Sequence, residues 1–167
     1  MDDIKAVTEL FQGLTTPPER RAGILELEAA LAQVPGALFG DNATCPLTHQ
    51  FAGHLYVRTI RIPAGMLCTG KIHRYSHPHF LQEGEAMVFT EQGGREHLVA
   101  PLVMISPPGT KRAVYALTDV VWTTVHEVGD ERDLAKIEQM LIAPDFLTLE
   151  EGAVCPSLPL APLLPLP

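Results

Sequence analysis

Between His54 and Val128 apolar and polar residues alternate in short runs, each broken by turn-forming residues. That period-2 pattern predicts strands over 54–62, 66–75, 79–83, 86–91, 95–100, 102–105, 111–117 and 120–127. Turns are expected at Pro63-Ala64-Gly65, Gly84-Glu85, Gln92-Gly93-Gly94, Pro107-Pro108-Gly109 and Thr118-Asp119. Many short strands at this spacing argue for a sandwich or a small barrel, and closure into a barrel would remove the exposed edges.

On either side the period changes to that of a helix. Ile4, Val7, Leu10 and Phe11 place one apolar face on a short helix over 2–12. A second helix begins at Thr16-Pro17-Pro18-Glu19, which has the form of a capping box with proline at the first helical position. It continues through Ile24, Leu27, Leu31 and Val34. Residues 35–50, rich in Pro, Gly, Asn and Thr, read as a loop. Asp130 is expected to cap a third helix over 131–142, with Leu134, Ile137 and Leu141 facing inward. The chain thus divides into an N-terminal helical segment (1–50), a β domain (51–128), a C-terminal helix (129–147) and a Pro/Leu-rich tail (148–167). From Cys155 to Pro167 the prolines favour an extended polyproline conformation, either a disordered tail or an arm laid on a neighbouring subunit.

A length of 167 residues suits one domain with one core, and 46% hydrophobic against 19% charged residues is a globular balance. The net charge of −8 repels phosphate and argues against nucleic acid as a partner. No apolar run reaches the roughly 18 residues that span a bilayer. The opening MDDIKAVTEL is acidic and lacks the build of a signal peptide, so a cytoplasmic location is expected. Cys45, Cys68 and Cys155 form no C-x-x-C pair and support neither a disulfide framework nor a zinc knuckle.

The candidate chemistry lies in two stretches. The first is Pro63-Ala64-Gly65, Lys71-x-His73-x-x-x-His77 and Gly84-Glu85, and the second is Pro107-Pro108-Gly109-Thr110-Lys111-Arg112. Their order and spacing resemble the two signature motifs of the cupin superfamily, G-x5-H-x-H-x3,4-E-x6-G and P-x-G-x-x-H. The resemblance covers roughly residues 54–128. It implies a mainly β, cupin-type jelly-roll β-barrel with two N-terminal helices and one C-terminal helix. In that family three histidines and a glutamate point into the barrel and hold a divalent metal.

Two registers compete. One takes His77-Pro78-His79 and Glu83 as the ligand run, but sets Glu83 directly before Gly84 in a turn. The other counts back seven from Gly84 to His77, then to His73 and Lys71, and is preferred because 71, 73, 75 and 77 share one face of an extended strand. His79 then lies at the strand's end, able to swing in, and Arg112 occupies the place of the second-motif histidine. The resemblance therefore implies His73, His77 and His79 as metal ligands for zinc, nickel, iron or manganese. Lys71 and Arg112 are cations that suit an anionic ligand, and Tyr75, Tyr115 and Trp122 serve as cavity walls or core. His49, His54, His97 and His126 have no partner at a telling spacing.

Ser106–Arg112, Asp119–His126 and Asp133–Glu138 are further similar to stretches of small cupin-like proteins of tailed phages and prophages. That similarity implies a bacterial host's cytoplasm or a virion as the location. Three readings follow. The preferred one is a non-enzymatic, self-associating barrel with a degenerate metal site, a homodimer or larger, serving as a binding module or associating with virion proteins. Another is a small metal-dependent enzyme of oxygenase, isomerase or lyase type. The third is an anion- or sugar-binding barrel centred on Lys71 and Arg112. No nucleophile–base constellation appears in the sequence.

Overall fold

The computed structural model describes residues 8–9, 11–38 and 41–152. The strands are β1 (Leu47–Ala52), β2 (Leu55–Ile62), β3 (Leu67–Thr69), β4 (Ile72–His73), β5 (His77–Glu83), β6 (Glu85–Thr90), β7 (Gly94–Val99), β8 (Leu102–Ser106), β9 (Arg112–Ala116), β10 (Val120–Glu127) and β11 (Ile142–Ala143). The helices are α1 (Pro17–Leu31), α2 (Leu134–Leu141) and α3 (Phe146–Gly152).

Four antiparallel pairings are nested in the sequence: β6 with β7, β5 with β8, β3 with β9, and β2 with β10. Successive pairs alternate between two sheets, so the chain is one long hairpin rolled on itself, a jelly roll. The larger sheet has the order β1-β2-β10-β5-β8 and the smaller β3-β9-β6-β7, with β4 and β11 paired separately. The expected closed barrel is not formed. The two sheets face each other as an open sandwich, and β1, β8, β3 and β7 remain as edges.

The core between the sheets joins Ile62, Leu81, Val120 and Trp122 of the larger to Ala86, Val88, Val114 and Ala116 of the smaller. Helix α1 covers the outer face of the smaller sheet. Ile24 and Leu27 pack there on Met87, Phe89, Ala113 and Tyr115, which is why β9 is buried on both faces. Two ion pairs pin this helix, Arg21 with Glu91 and the buried Lys111 with Glu28, the latter at 2.5 Å. The capping box forms as the sequence predicts, with Glu19 Oε2 accepting from Thr16 N.

Several expectations are corrected. The helix expected over 2–12 lies mostly outside the described residues, and the tail from 153 lies wholly outside them. Among the described residues there are one N-terminal and two C-terminal helices, the second being α3. Part of the expected loop over 35–50 is strand β1, which pairs along its whole length with β2. The expected strand 66–75 breaks at Gly70, where a Cβ would press on Arg112 Cγ at 3.3 Å; the chain then leaves β9 to pair with β11. Helix α2 is capped by Asp133, which accepts from Ala135 N and Lys136 N, while Asp130 instead pairs with His54.

Gly84 is the tightest turn. Its φ is +86°, and a Cβ there would lie 2.1 Å from the carbonyl oxygen of Asp119. Gly84→Ala should lower stability by about 2 kcal/mol or more, from left-handed strain and a backbone clash together. Thermal unfolding of the variant checks this; an unchanged midpoint would contradict the geometry.

Candidate functional site: a buried histidine cluster beside an arginine cleft

Strand registers fix which side chains meet inside the sandwich. Trp122 pairs with Ile60 and Leu81, Thr124 with Arg58 and His79, and His126 with Tyr56. Because strand residues alternate in direction, these residues and His77 share the interior face of the larger sheet. The interior is thus divided. One half is apolar around Trp122, and the other carries Tyr56, Arg58, Thr124, His126, His77 and His79.

At the polar end His73, His77 and His126 converge, with one ligand nitrogen from each ring within 4.8 Å of the others. Ring centroids are 4.3 Å apart for His73 and His77, 4.5 Å for His77 and His126, and 4.9 Å for His73 and His126. His73 reaches the cluster because β4 is held between β11 and the loop after β8, where Gly109 N donates to the carbonyl of His73 at 2.8 Å. A Cβ at Gly109 would meet Leu149 of α3 at 2.7 Å, so the turn predicted at Pro107-Pro108-Gly109 needs its glycine for packing as well as for its φ of +76°.

The imidazoles are held neutral. Burial, reinforced by His77, His126, Arg112 and Arg58, pushes His73 down to about 2. Burial with Arg112 and His77 takes His79 to about 3, and burial with His77 and Arg58 takes His126 to about 3. His77 is also lowered by burial, against the opposing hydrogen bond to a backbone carbonyl. That bond, Nδ1–H to the oxygen of Tyr75 at 3.2 Å, leaves the Nε2 lone pair of His77 free. The Nδ1 of His73 is buried with no hydrogen-bond partner. Three neutral imidazoles, one with an orphaned buried nitrogen and one with its tautomer set by a carbonyl, make a donor set suited to a divalent transition metal.

His79 is not one of the three. Its Nδ1 accepts from Trp122 Nε1 at 3.0 Å and lies 3.5 Å from a guanidinium nitrogen of Arg112. An acceptor at Nδ1 makes the neutral ring a donor at Nε2, so His79 offers no lone pair toward the cluster. Its place is taken by His126, which the sequence reading set aside. The signal was available: His126 lies four residues after Trp122 on a strand of period 2, so both face the same way.

Of the ligand-binding candidates, Arg112 alone lines the site. It faces a cleft of about 240 Å³ walled by His79, Val88, Leu98, Met104 and Ser106, and donates to Ser106 Oγ. Burial lowers Arg112 to about 10, with Glu96 opposing, so it stays a cation at neutral pH. Lys71 lies outside the cleft, its Nζ 2.5 Å from Glu138 in a half-exposed ion pair, because the chain turns after Gly70. Tyr75 is half-exposed, and only its backbone carbonyl serves the site. Tyr115 points away, into the core beneath α1. Glu83 is the exposed last residue of β5 and not part of the cluster.

No protein-family model and no curated protein matches this sequence. Solved structures with similar folds include a cupin superfamily protein of Desulfitobacterium hafniense (10% identity, 55% of this chain and 84% of that one, TM-score 0.44). KdgF of a Halomonas species is another (14%, 58% and 90%, 0.46). A salicylate 1,2-dioxygenase of Pseudaminobacter salicylatoxidans also matches (13%, 72% and 34%, 0.48), and this chain spans about a third of its length. At these identities and TM-scores no activity carries over to this chain.

Neutral burial of the histidines has a direct consequence for acid stability. Their folded values lie below the unfolded value near 6.5, so the unfolded chain takes up protons first as pH falls. Stability is therefore full above pH 6.5 and declines below it, each buried histidine contributing up to about 1.4 kcal/mol per pH unit until its own folded value is reached. Urea midpoints measured in chelator between pH 7.5 and 4.5 should fall accordingly, and a His73→Gln/His126→Gln variant should show a shallower slope. Equal slopes would sink the assignment of these two residues as buried neutral imidazoles.

Proposed function

We propose that this protein is a metal-dependent jelly-roll protein of the cupin type, in which His73, His77 and His126 hold one divalent transition ion next to a ligand cleft. The orphaned Nδ1 of His73 inside a cluster of neutral imidazoles is the observation that carries this reading. Three imidazoles suit zinc, iron, nickel or manganese, and leave coordination positions open. Bound there, such an ion would supply a Lewis acid and lower the pKa of a coordinated water.

The chain's own residues prepare the surroundings. The bond from His77 Nδ1–H to Tyr75 fixes that ring's orientation. Trp122, which holds His79 Nδ1, leaves the Nε2–H of His79 as a donor. Arg112 brings a permanent positive charge to the floor of the cleft, and Val88, Leu98 and Met104 wall it with apolar surface. Small-molecule chemistry of oxygenase, isomerase or lyase type fits this arrangement of an open metal site beside a charged, partly apolar cleft.

Metal analysis tests the reading. The untagged chain dialysed against zinc or cobalt should retain about one ion, and His73→Ala or His126→Ala should lose it. His79→Gln should keep it, since that side chain is not a ligand. Retention by the His126 variant, or a metal-free native chain after loading, would overturn the assignment.

A second reading, the non-enzymatic self-associating module, draws on a separate feature. Val103 and Ile105 on edge strand β8 are 66% and 64% exposed, an apolar pair on an unpaired edge. In that reading the molecule is a scaffold, in a phage particle or elsewhere. Light scattering should then show a dimer or larger that Ile105→Lys converts to monomer; a monomeric native chain would dismiss it.

A further inference from the structure

The interior of the larger sheet carries two polar rows of opposite character. The row through Tyr56, His126 and His77, joined by His73, presents nitrogen lone pairs. The neighbouring row crosses β2, β10 and β5 as Arg58, Thr124 and His79, and Arg112 reaches the same His79 from the opposing sheet. This second row is made of donors. Arg58 and Arg112 are guanidinium groups, Thr124 Oγ1 is buried without a hydrogen-bond partner, and His79 is left with Nε2–H to offer.

No carboxylate answers them, and the acceptor that Arg112 does reach, Ser106 Oγ, carries no charge. Among the described residues neither Arg58 nor Arg112 comes within ion-pair distance of a carboxylate, and Arg58 makes no hydrogen bond. Asp41 and Glu138 act on Arg58, and Glu96 on Arg112, only through longer-range attraction. The other carboxylate lining the cleft, Glu91, is already paired with Arg21. Two half-buried guanidiniums without counter-charge are costly unless something supplies it. Arginine's planar fork is matched by a carboxylate.

We propose that Arg58 and Arg112, with Thr124 and His79 between them, hold a small dicarboxylate across the interior of the sandwich. Strands β2 and β5 are separated by two strand spacings, roughly 10 Å. A separation on that scale, from Arg58 on β2 to His79 on β5 where Arg112 arrives, suits a short diacid better than a single carboxylate. The proposal rests on the metal reading for what lies alongside: the donor row runs next to the histidine row, so a carboxylate oxygen is brought toward the open positions of the ion. It also accounts for a metal site that has cations rather than carboxylates around it, because the ligand supplies the negative charge.

Titration calorimetry on the full chain, zinc-loaded and zinc-free, tests this with oxalate, malonate, succinate and glutarate, and with acetate and inorganic phosphate as single-anion controls. The best diacid should bind at least about tenfold more tightly than acetate or phosphate. Arg58→Gln should erase that preference with zinc content unchanged, and Arg58→Lys should restore part of it. Equal binding of diacids and acetate overturns the proposal. So does phosphate binding as tightly as the best diacid, or a diacid preference that survives Arg58→Gln in a variant with native circular dichroism. Should Arg58→Gln fail to fold, the probe series on the native chain and Arg58→Lys still decide. A chain that takes no zinc yet shows an Arg58-dependent preference refutes the metal reading and keeps this one. Stoichiometric zinc without the preference does the reverse.

Discussion

Strand β10 is hydrogen-bonded to β2 along its whole length and to β5 along part of it, and this double pairing governs the rest. Its inward residues run from Val120 and Trp122 to Thr124 and His126, so one strand passes from the apolar half of the interior to the polar half. The apolar half, closed by Leu81, Val88, Val114 and Ala116, provides the burial that holds two sheets together without edge-to-edge closure. The polar half withdraws four imidazoles from water, a cost met by staying uncharged. Displacing β10 by one residue would turn both sets outward together, so the fold and the site share one register.

Within the polar half, four chemically identical rings acquire separate roles from their partners alone. A carbonyl beside His77 frees one nitrogen, an indole beside His79 occupies one, and His73 is given no partner. The difference between a ligand and a donor is thus set by a carbonyl two residues away in one case and an indole 43 residues away on the adjacent strand in the other, through hydrogen bonds that fix tautomers.

That dependence explains what the sequence could disclose. Most strand positions, the Gly84 and Gly109 turns and the capping box at Thr16 follow from short-range pattern; His73, His77 and Arg112 come from the resemblance, and the structure puts the two histidines in one cluster and Arg112 on the neighbouring cleft. Alternation alone puts His126 on the face of Trp122, but its partners, like those of Arg58, come from pairing across sheet neighbours distant in sequence. A strand expected to run through Gly70 gives Lys71 the wrong face, whereas Tyr115 takes the core position that is one of its two expected places, in the core that α1 closes. Strand β1 was hidden by turn-forming residues that sit just before it, at Asp41 to Pro46.

The contact between Trp122 and His79 has an optical consequence. Trp122 is the single tryptophan of the chain, its ring nearly parallel to His79 at 5.5 Å and 5.8 Å from the guanidinium of Arg112. All indole emission therefore originates at the boundary between the dry core and the site. The molecule carries its own fluorophore where a ligand would arrive, and its intrinsic fluorescence is a local signal rather than an average over the fold.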